Sequence, residues 1–344
     1  MKILITGGGG FVGSRLASAL LARGEIDGKA IDRLVLADQV APRPELTRDQ
    51  RVESRVGALA TQCDALGKEG FDGVFHLASA VSGECEADFD LGLRSNIDTT
   101  RALLDALRAA AGRGGAPAKL VFSSSVAVFG PDPSVPLPAL VGDDTLPAPK
   151  TSYGTHKLMC EYLIADYSRK GHVDGRSARL MPVTVRPGRP NGAASSFFSG
   201  IIREPLAGVE AICPVSAEVS HPLTSAARTV EGLIAVYEAS LEQLGGRLAL
   251  NLPAVNATVA EMLQALEDVA GRAVRERVRF VRDETIAGIV ANWPKGATAA
   301  RAARLGLRAD PSFADIIRQY IADCRAAPDA AETLKGLPAK DRQP

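Results

Sequence analysis

The sequence predicts a doubly wound α/β fold, a parallel sheet with helices on both faces, followed by a smaller mixed α/β domain. Three observations carry this. Short, nearly continuous apolar runs recur at residues 2–6, 34–37, 73–78 and 119–125, and strands buried on both faces read this way. Longer stretches with apolar residues at helical spacing lie between them, and such alternation is the mark of a parallel sheet. The first run leads directly into four consecutive glycines, Gly7 to Gly10, at the kind of strand-to-helix turn where open α/β sheets bind ligands.

Each element follows in order. After strand 2–6, residues 14–23 place Leu16, Leu20 and Leu21 on one side of a helix that Gly24 stops. Strand 34–37 ends at Asp38, and a third strand is expected at 52–56. Strand 73–78 precedes a long helix at 88–110, rich in Leu and Ala. Strand 119–125, helix 152–167 and strand 178–185 complete the alternating part. Beyond Arg186 the pattern changes. Pro187, Gly188, Pro190 and Gly192 punctuate a loop that leads into 195–208. A helix at 259–269, a strand at 277–281 and a helix at 312–324 follow. The expected division is 1–180 plus about 220–253 for the sheet domain, and about 181–219 plus 254–326 for the smaller one. Residues 327–344 are polar and read as a loose tail.

Bulk properties exclude several classes. Lys plus Arg and Asp plus Glu each number 40, so the chain has no net charge and no overall field to attract nucleic acid or an anionic membrane. With no apolar stretch of about 18 residues, nothing is expected to span a bilayer. The five cysteines are odd in number and lack a C-x-x-C spacing, so no metal site is expected and a reducing compartment fits best. Met1 leads straight into the first strand without a basic leader. The expectation is a cytoplasmic protein.

The turn Thr6 to Gly13 carries glycines at 7, 10 and 13. They permit a tight turn, close approach of backbone to a pyrophosphate, and close packing of helix on strand. The helix that opens there offers unpaired N–H groups to phosphate. Asp38, at the end of the next strand, can accept from the ribose hydroxyls of NAD and would repel the 2′-phosphate of NADP. NAD is the expected cofactor.

Tyr153 and Lys157 are four apart on an expected helix and share a face. That helix follows the strand ending in Ser123, Ser124 and Ser125, so the set lies at the ligand-binding edge. Oxidising an alcohol requires removal of the hydroxyl proton as hydride leaves carbon. A phenol of pKa about 10 is too weakly ionised to do this near neutrality. Lowering it by about 3 units takes roughly 4 kcal/mol, which an ammonium and a cationic nicotinamide would favour. A serine hydroxyl both donates and accepts, which suits an alcohol becoming a carbonyl.

The stretches Thr6 to Gly13, His76-Leu77-Ala78-Ser79, Asn96, Ser123 to Gly130 and Tyr153-x-x-x-Lys157 resemble the extended short-chain dehydrogenases. The resemblance covers about residues 1–190. It implies Ser125, Tyr153 and Lys157 as catalytic residues, with Asn96 supporting the proton relay. It implies cofactor contacts from Gly7, Gly10, Phe11, Val12, Gly13, Asp38, Leu77, Ala78, Ser79, Asn96, Tyr153, Lys157 and Pro182, with Lys157 on the nicotinamide ribose. It also implies a homodimer formed by the two long helices, for which Leu103, Leu104, Leu107, Leu158 and Tyr162 offer apolar surface. One position departs from the pattern: Ala58 stands where an adenine-binding Asp is usual. Backbone groups or Asp64 are the expected substitutes.

Later stretches resemble the D-erythronate dehydrogenase branch: Val81-Ser82-Gly83-Glu84, Val185 to Asn191, Ser195 to Gly200, and Arg203-Glu204-Pro205-Leu206. The N-x-[YF]-G-P of nucleotide-sugar enzymes is absent. The resemblance implies oxidation of a small sugar acid, D-erythronate, to 2-oxo-tetronate. A nucleotide-sugar epimerase or dehydratase using the same Ser, Tyr and Lys is the alternative. A carboxylate calls for an arginine's two-point grip, and Arg189 beside Asn191 is the first choice, with Ser82, Ser125, Tyr153 and His221 as further substrate contacts. His221 and Arg203 are the fallbacks for the carboxylate. His76 is expected as a buried strand residue near the cofactor, and Trp293 as core of the smaller domain.

Overall fold

The structure, a computed structural model, describes residues 1–188 and 194–338. Among them, the central sheet contains β1 (Lys2–Thr6), β2 (Arg33–Asp38), β3 (Val52–Val56), β4 (Gly73–His76), β5 (Lys119–Ser125), β6 (Asp174–Leu180) and a short edge strand, Leu250–Asn251. The order across the sheet is edge strand, β6, β5, β4, β1, β2, β3, with every pair parallel. The chain leaves β1 towards β2 and later returns to β4 on its other side. That switch opens a crevice beyond the C-terminal ends of the strands.

Two-residue alternation sends successive β1 side chains to opposite cores. Ile3 and Ile5 pack with Leu16 and Leu20 of α1 (Phe11–Arg23) and with Leu233 and Val236 further along the chain. Leu4 packs on the other face with α2 (Leu59–Glu69) and the helices that follow it. Short α3 (Ser82–Ala87) precedes a long helical run made of Phe89–Gly92, a π-helical segment Leu93–Asp98 and α4 (Thr99–Gly112). The expected single helix at 88–110 is therefore interrupted, and Asn96 lies in the wider π turn. Then comes α5 (Ser152–Arg169), N-capped by the Thr151 side chain on Gly154 N. Leu103, Leu104 and Leu107, expected on a dimer face, are instead buried against the sheet beside Ile164 of α5. They already have an apolar partner in the sheet. Tyr162 does stay exposed on α5, as does Met159, while Leu158 is partly buried.

The strand expected at 178–185 is shifted. β6 begins at Asp174 because polar residues are accommodated in it. Arg176 is buried and donates to the carbonyls of Val236, Tyr237 and Ala239 at 3.3, 2.9 and 2.8 Å. After Leu180 the chain leaves the sheet, and Val183 bridges Thr224 instead. β4 likewise ends at His76, two residues before the expected limit.

A second core gathers α6 (Ser196–Leu206), β7 (Ala211–Cys213), β8 (Ser220–Leu223), β9 (Val255–Thr258), α8 (Val259–Ala270), β10 (Val278–Phe280), α9 (Glu284–Val290) and α10 (Phe313–Arg325). α7 (Ala226–Glu238) returns to the sheet and packs beside α1. The C-terminal stretch through residue 338 is not loose: Leu334 and Leu337 are buried in the second core, and Gly336 N donates to Leu206 O at 2.8 Å. Two leucines among polar residues suffice to dock it. Among the described residues no helix is long and apolar enough to cross a membrane.

Candidate active site

The glycine turn is built so tightly that side chains would not fit. Gly7 has a positive φ of 75°, and a Cβ there would sit 2.8 Å from Ala78 N. A Cβ on Gly13 would fall 2.1 Å from Gly7 O. No side chain caps α1 at Gly10, so the first-turn amides around Phe11, Val12 and Gly13 remain for a phosphate. Asp38 closes the turn: its carboxylate accepts from Gly9 N at 2.9 Å and Val40 N at 3.2 Å. These residues fit the pyrophosphate and ribose of a dinucleotide. At the adenine end Ala58 precedes α2 with no side-chain bond, and Gln62 Nε2 holds the Gly57 carbonyl at 2.9 Å. Asp64 is exposed on α2.

His76 is buried at the end of β4, as expected. Its ring spans Thr6 Oγ1 (2.7 Å) and Thr100 Oγ1 (2.9 Å). Burial, and then the nearby Lys157 charge, pushes its pKa down to about 3, so the ring is neutral and structural. Thr6 Oγ1 in turn accepts from Leu77 N and Ala78 N. Asn96 grips Ala80 further along, its Oδ1 accepting from Ala80 N (2.8 Å) and its Nδ2 donating to Ala80 O (3.2 Å) and Cys85 Sγ (3.3 Å). The Asn96 side chain thus holds the loop after β4, with Leu77 and Ser79 facing a cavity.

That cavity, about 640 Å³, lies beyond the sheet edge and is lined by Val12, Ser82, Ser125, Tyr153, Lys157 and Pro182 among others. Ser125 ends β5, where its hydroxyl accepts from Ala127 N at 3.1 Å and also hydrogen-bonds the Tyr153 phenol. Lys157 Nζ donates to Ser123 O at 2.8 Å and sits 5.5 Å from the Tyr153 ring centre. Burial pushes the Lys157 pKa down to about 8. Burial raises the Tyr153 phenol, while the Ser125 bond and the Arg186 charge pull it back. Arg186 is thus a second cation near the phenol, besides Lys157.

Arg186 is the residue the sequence reading missed. It lines the cavity half-buried, and burial lowers its pKa against the pull of Tyr153. Its Nε donates to Val183 O (3.1 Å), its N to Ser199 Oγ (3.0 Å), and its carbonyl accepts from Arg203 Nη1 (2.7 Å). Arg203 is therefore buried behind the loop, paired with Glu204. Arg189 and Asn191 lie outside the described residues.

The second core supplies the far wall. His221 of β8 faces the cavity, and Nδ1 lies 2.7 Å from Pro294 O. Burial pushes its pKa down to about 4, which removes it as a cation for a carboxylate. Thr285, Gly288, Ile289 and Asn292 also line the cavity, a spacing that presents one face of α9 and the turn after it. Trp293 packs on the second core as expected and lines the cavity as well. No signal in the sequence distinguished this wall from ordinary amphipathic helix. Among the described residues no group of three or more His, Cys, Asp or Glu could hold a metal.

Residues 3–243 match the model of the NAD dependent epimerase/dehydratase family. The chain is 47% identical to a D-erythronate dehydrogenase of Cupriavidus necator, covering 95% of this chain and 100% of that one. It is 42% identical to a D-erythronate dehydrogenase of Haemophilus influenzae, covering 93% and 99%. A solved structure described as the nucleoside-diphosphate-sugar epimerase from Agrobacterium tumefaciens superposes with a TM-score of 0.89 at 41% identity, covering 94% of each chain. Glycine turn, sheet order and family match agree, and the chain belongs to the NAD-dependent epimerase/dehydratase family.

Proposed function

We propose that the protein is an NAD-dependent sugar-acid dehydrogenase that oxidises D-erythronate to 2-oxo-tetronate. One observation carries this reading: a single cavity holds Ser125, Tyr153 and Lys157 beside the guanidinium of Arg186. A sugar acid offers a secondary alcohol and a carboxylate a short distance apart, and the cavity offers a partner for each. The two D-erythronate dehydrogenase relatives support the four-carbon substrate.

Ser125 holds the reacting oxygen and Tyr153 takes its proton as the C–H hydride departs. Bound NAD would supply the hydride acceptor and a positive ring charge that draws the phenol pKa down. Lys157 has two donors left after Ser123 O, which suit the nicotinamide ribose. Leu77, Ala78, Ser79 and Pro182 shape that side of the cavity, and Asn96 fixes the loop. Arg186 grips the carboxylate and also favours the phenolate. Asp38 selects NAD over NADP.

The test is a panel of four- to six-carbon sugar acids with NAD, read as NADH absorbance. D-Erythronate should give sustained NADH. The likeness to the epimerase structure favours a second reading, in which hydride returns to the substrate and no NADH accumulates. Epimerisation of a nucleotide sugar without turnover of any acid would establish that reading instead. Arg186→Ala should raise KM for the acid roughly 10- to 150-fold, the worth of a charge-assisted pair, with NAD affinity unchanged. An unaltered KM would move the carboxylate elsewhere.

A further inference from the structure

We infer that His221 recognises a hydroxyl of the substrate through Nε2 as an acceptor, and so helps to set which acids the cavity takes. The inference rests on the sugar-acid reading above and assigns a part of the site that reading leaves open.

A neighbouring carbonyl fixes the tautomer of His221. Nδ1 lies 2.7 Å from the carbonyl oxygen of Pro294. A carbonyl has no proton to give, so Nδ1 must carry the hydrogen and donate it. Burial keeps the ring neutral at ordinary pH. In a neutral imidazole with hydrogen on Nδ1, Nε2 holds a lone pair and can only accept.

The ring is also fixed in place. It stacks on Phe198 with centres 5.5 Å apart and planes within 2°, and its centre is 5.2 Å from that of Trp293. Phe198 is itself fully buried. A second bond, from Ser220 Oγ to Lys295 O at 2.8 Å, ties the same loop to β8. Nδ1 is turned to Pro294, so the nitrogen that this cavity-lining residue can offer a ligand is Nε2.

An acceptor of this kind has a defined preference. A carboxylate has no proton to donate and would meet a lone pair, whereas a sugar hydroxyl donates readily. The cavity thus divides its recognition: Arg186 takes the anion and His221 takes a hydroxyl away from the reacting carbon. A buried polar group left unpaired penalises an analogue that lacks the matching hydroxyl.

The test compares D-erythronate with its 3-deoxy and 4-deoxy analogues in the native enzyme and in His221→Phe, which keeps the stacking and removes the acceptor. In the native enzyme one of the two deoxy acids should fall in kcat/KM by roughly 5- to 150-fold, chiefly through KM. In His221→Phe, D-erythronate should lose a similar factor and the gap to that analogue should close. His221→Gln, which keeps an acceptor, should recover part of the loss. NAD affinity, measured by fluorescence titration, should not change in either variant. A native enzyme that treats all three acids alike overturns the inference without any variant. An unchanged gap in His221→Phe overturns it too. If no sugar acid is oxidised at all, the functional reading fails and this inference falls with it.

Discussion

Burial holds the Tyr153 phenol above its ordinary pKa, and the Ser125 hydroxyl and Arg186 charge oppose it. Removing the phenol oxygen removes the proposed base and little else. Tyr153→Phe should cut turnover by about 10²- to 10⁴-fold or more, with NAD binding by fluorescence titration close to native. Near-native kcat would refute the mechanism. At the other end of the cofactor site, Asp38→Ala should narrow the ratio of kcat/KM between NAD and NADP. A native enzyme that uses both equally would sink the role given to Asp38. The placement of Ser125 at a strand end and of Tyr153 and Lys157 on one helix face was legible in the sequence, because that local spacing survives folding unchanged. Arg186 was not. The chain turns after β6, where Thr184 N bonds the distant Thr224 O, and Arg186 then lines the cavity. Periodicity cannot report such a partner.

At the scale of elements, α5 carries Tyr153, Lys157 and Glu161 at intervals of four, one stripe facing the sheet. Glu161 is buried and accepts from Arg179 at 2.9 and 2.8 Å and from Ser124 Oγ at 2.5 Å. This network joins α5, β5 and β6 directly beneath Ser125 and Lys157. Breaking a buried pair from one side leaves an uncompensated charge. Glu161→Gln should therefore cost about 3–5 kcal/mol by urea unfolding, and Glu161→Leu combined with Arg179→Met should recover most of it. An unchanged midpoint for Glu161→Gln would show that the pair does not hold the helix. The polar residues at the start of β6 explain why it was misplaced: Asp174 and Arg176 read as loop, and the buried carbonyl partners of Arg176 accommodate it in the strand. Strands β1 and β5, apolar throughout their middle, were legible almost to the residue.

For the whole molecule, three buried histidines, His76, His156 and His221, set a lower pH limit, since burial lowers the pKa of each. The pKa values of His76 and His221 fall to about 3 and about 4 in the folded chain, against about 6.5 when unfolded. Between those limits the unfolded state binds more protons, so stability falls as pH drops below about 6.5, with each group contributing up to roughly 1.4 kcal/mol per pH unit. Urea midpoints at pH 7 and pH 5 check this, and His221→Phe should flatten the dependence. Equal midpoints at the two pH values would contradict it. The second core was less legible than the sheet, since it is assembled from pieces distant in the chain and its C-terminal stretch docks by only two buried leucines. The separation of α9 from the sheet has one more consequence. The groups proposed to move the proton come from β5 and α5, whereas Thr285, Gly288, Ile289 and Asn292 border the same cavity from α9 and the turn after it. Diversification can act on one without disturbing the other. A combinatorial library confined to those four positions should reshape substrate choice while leaving Ser125, Tyr153 and Lys157 in place.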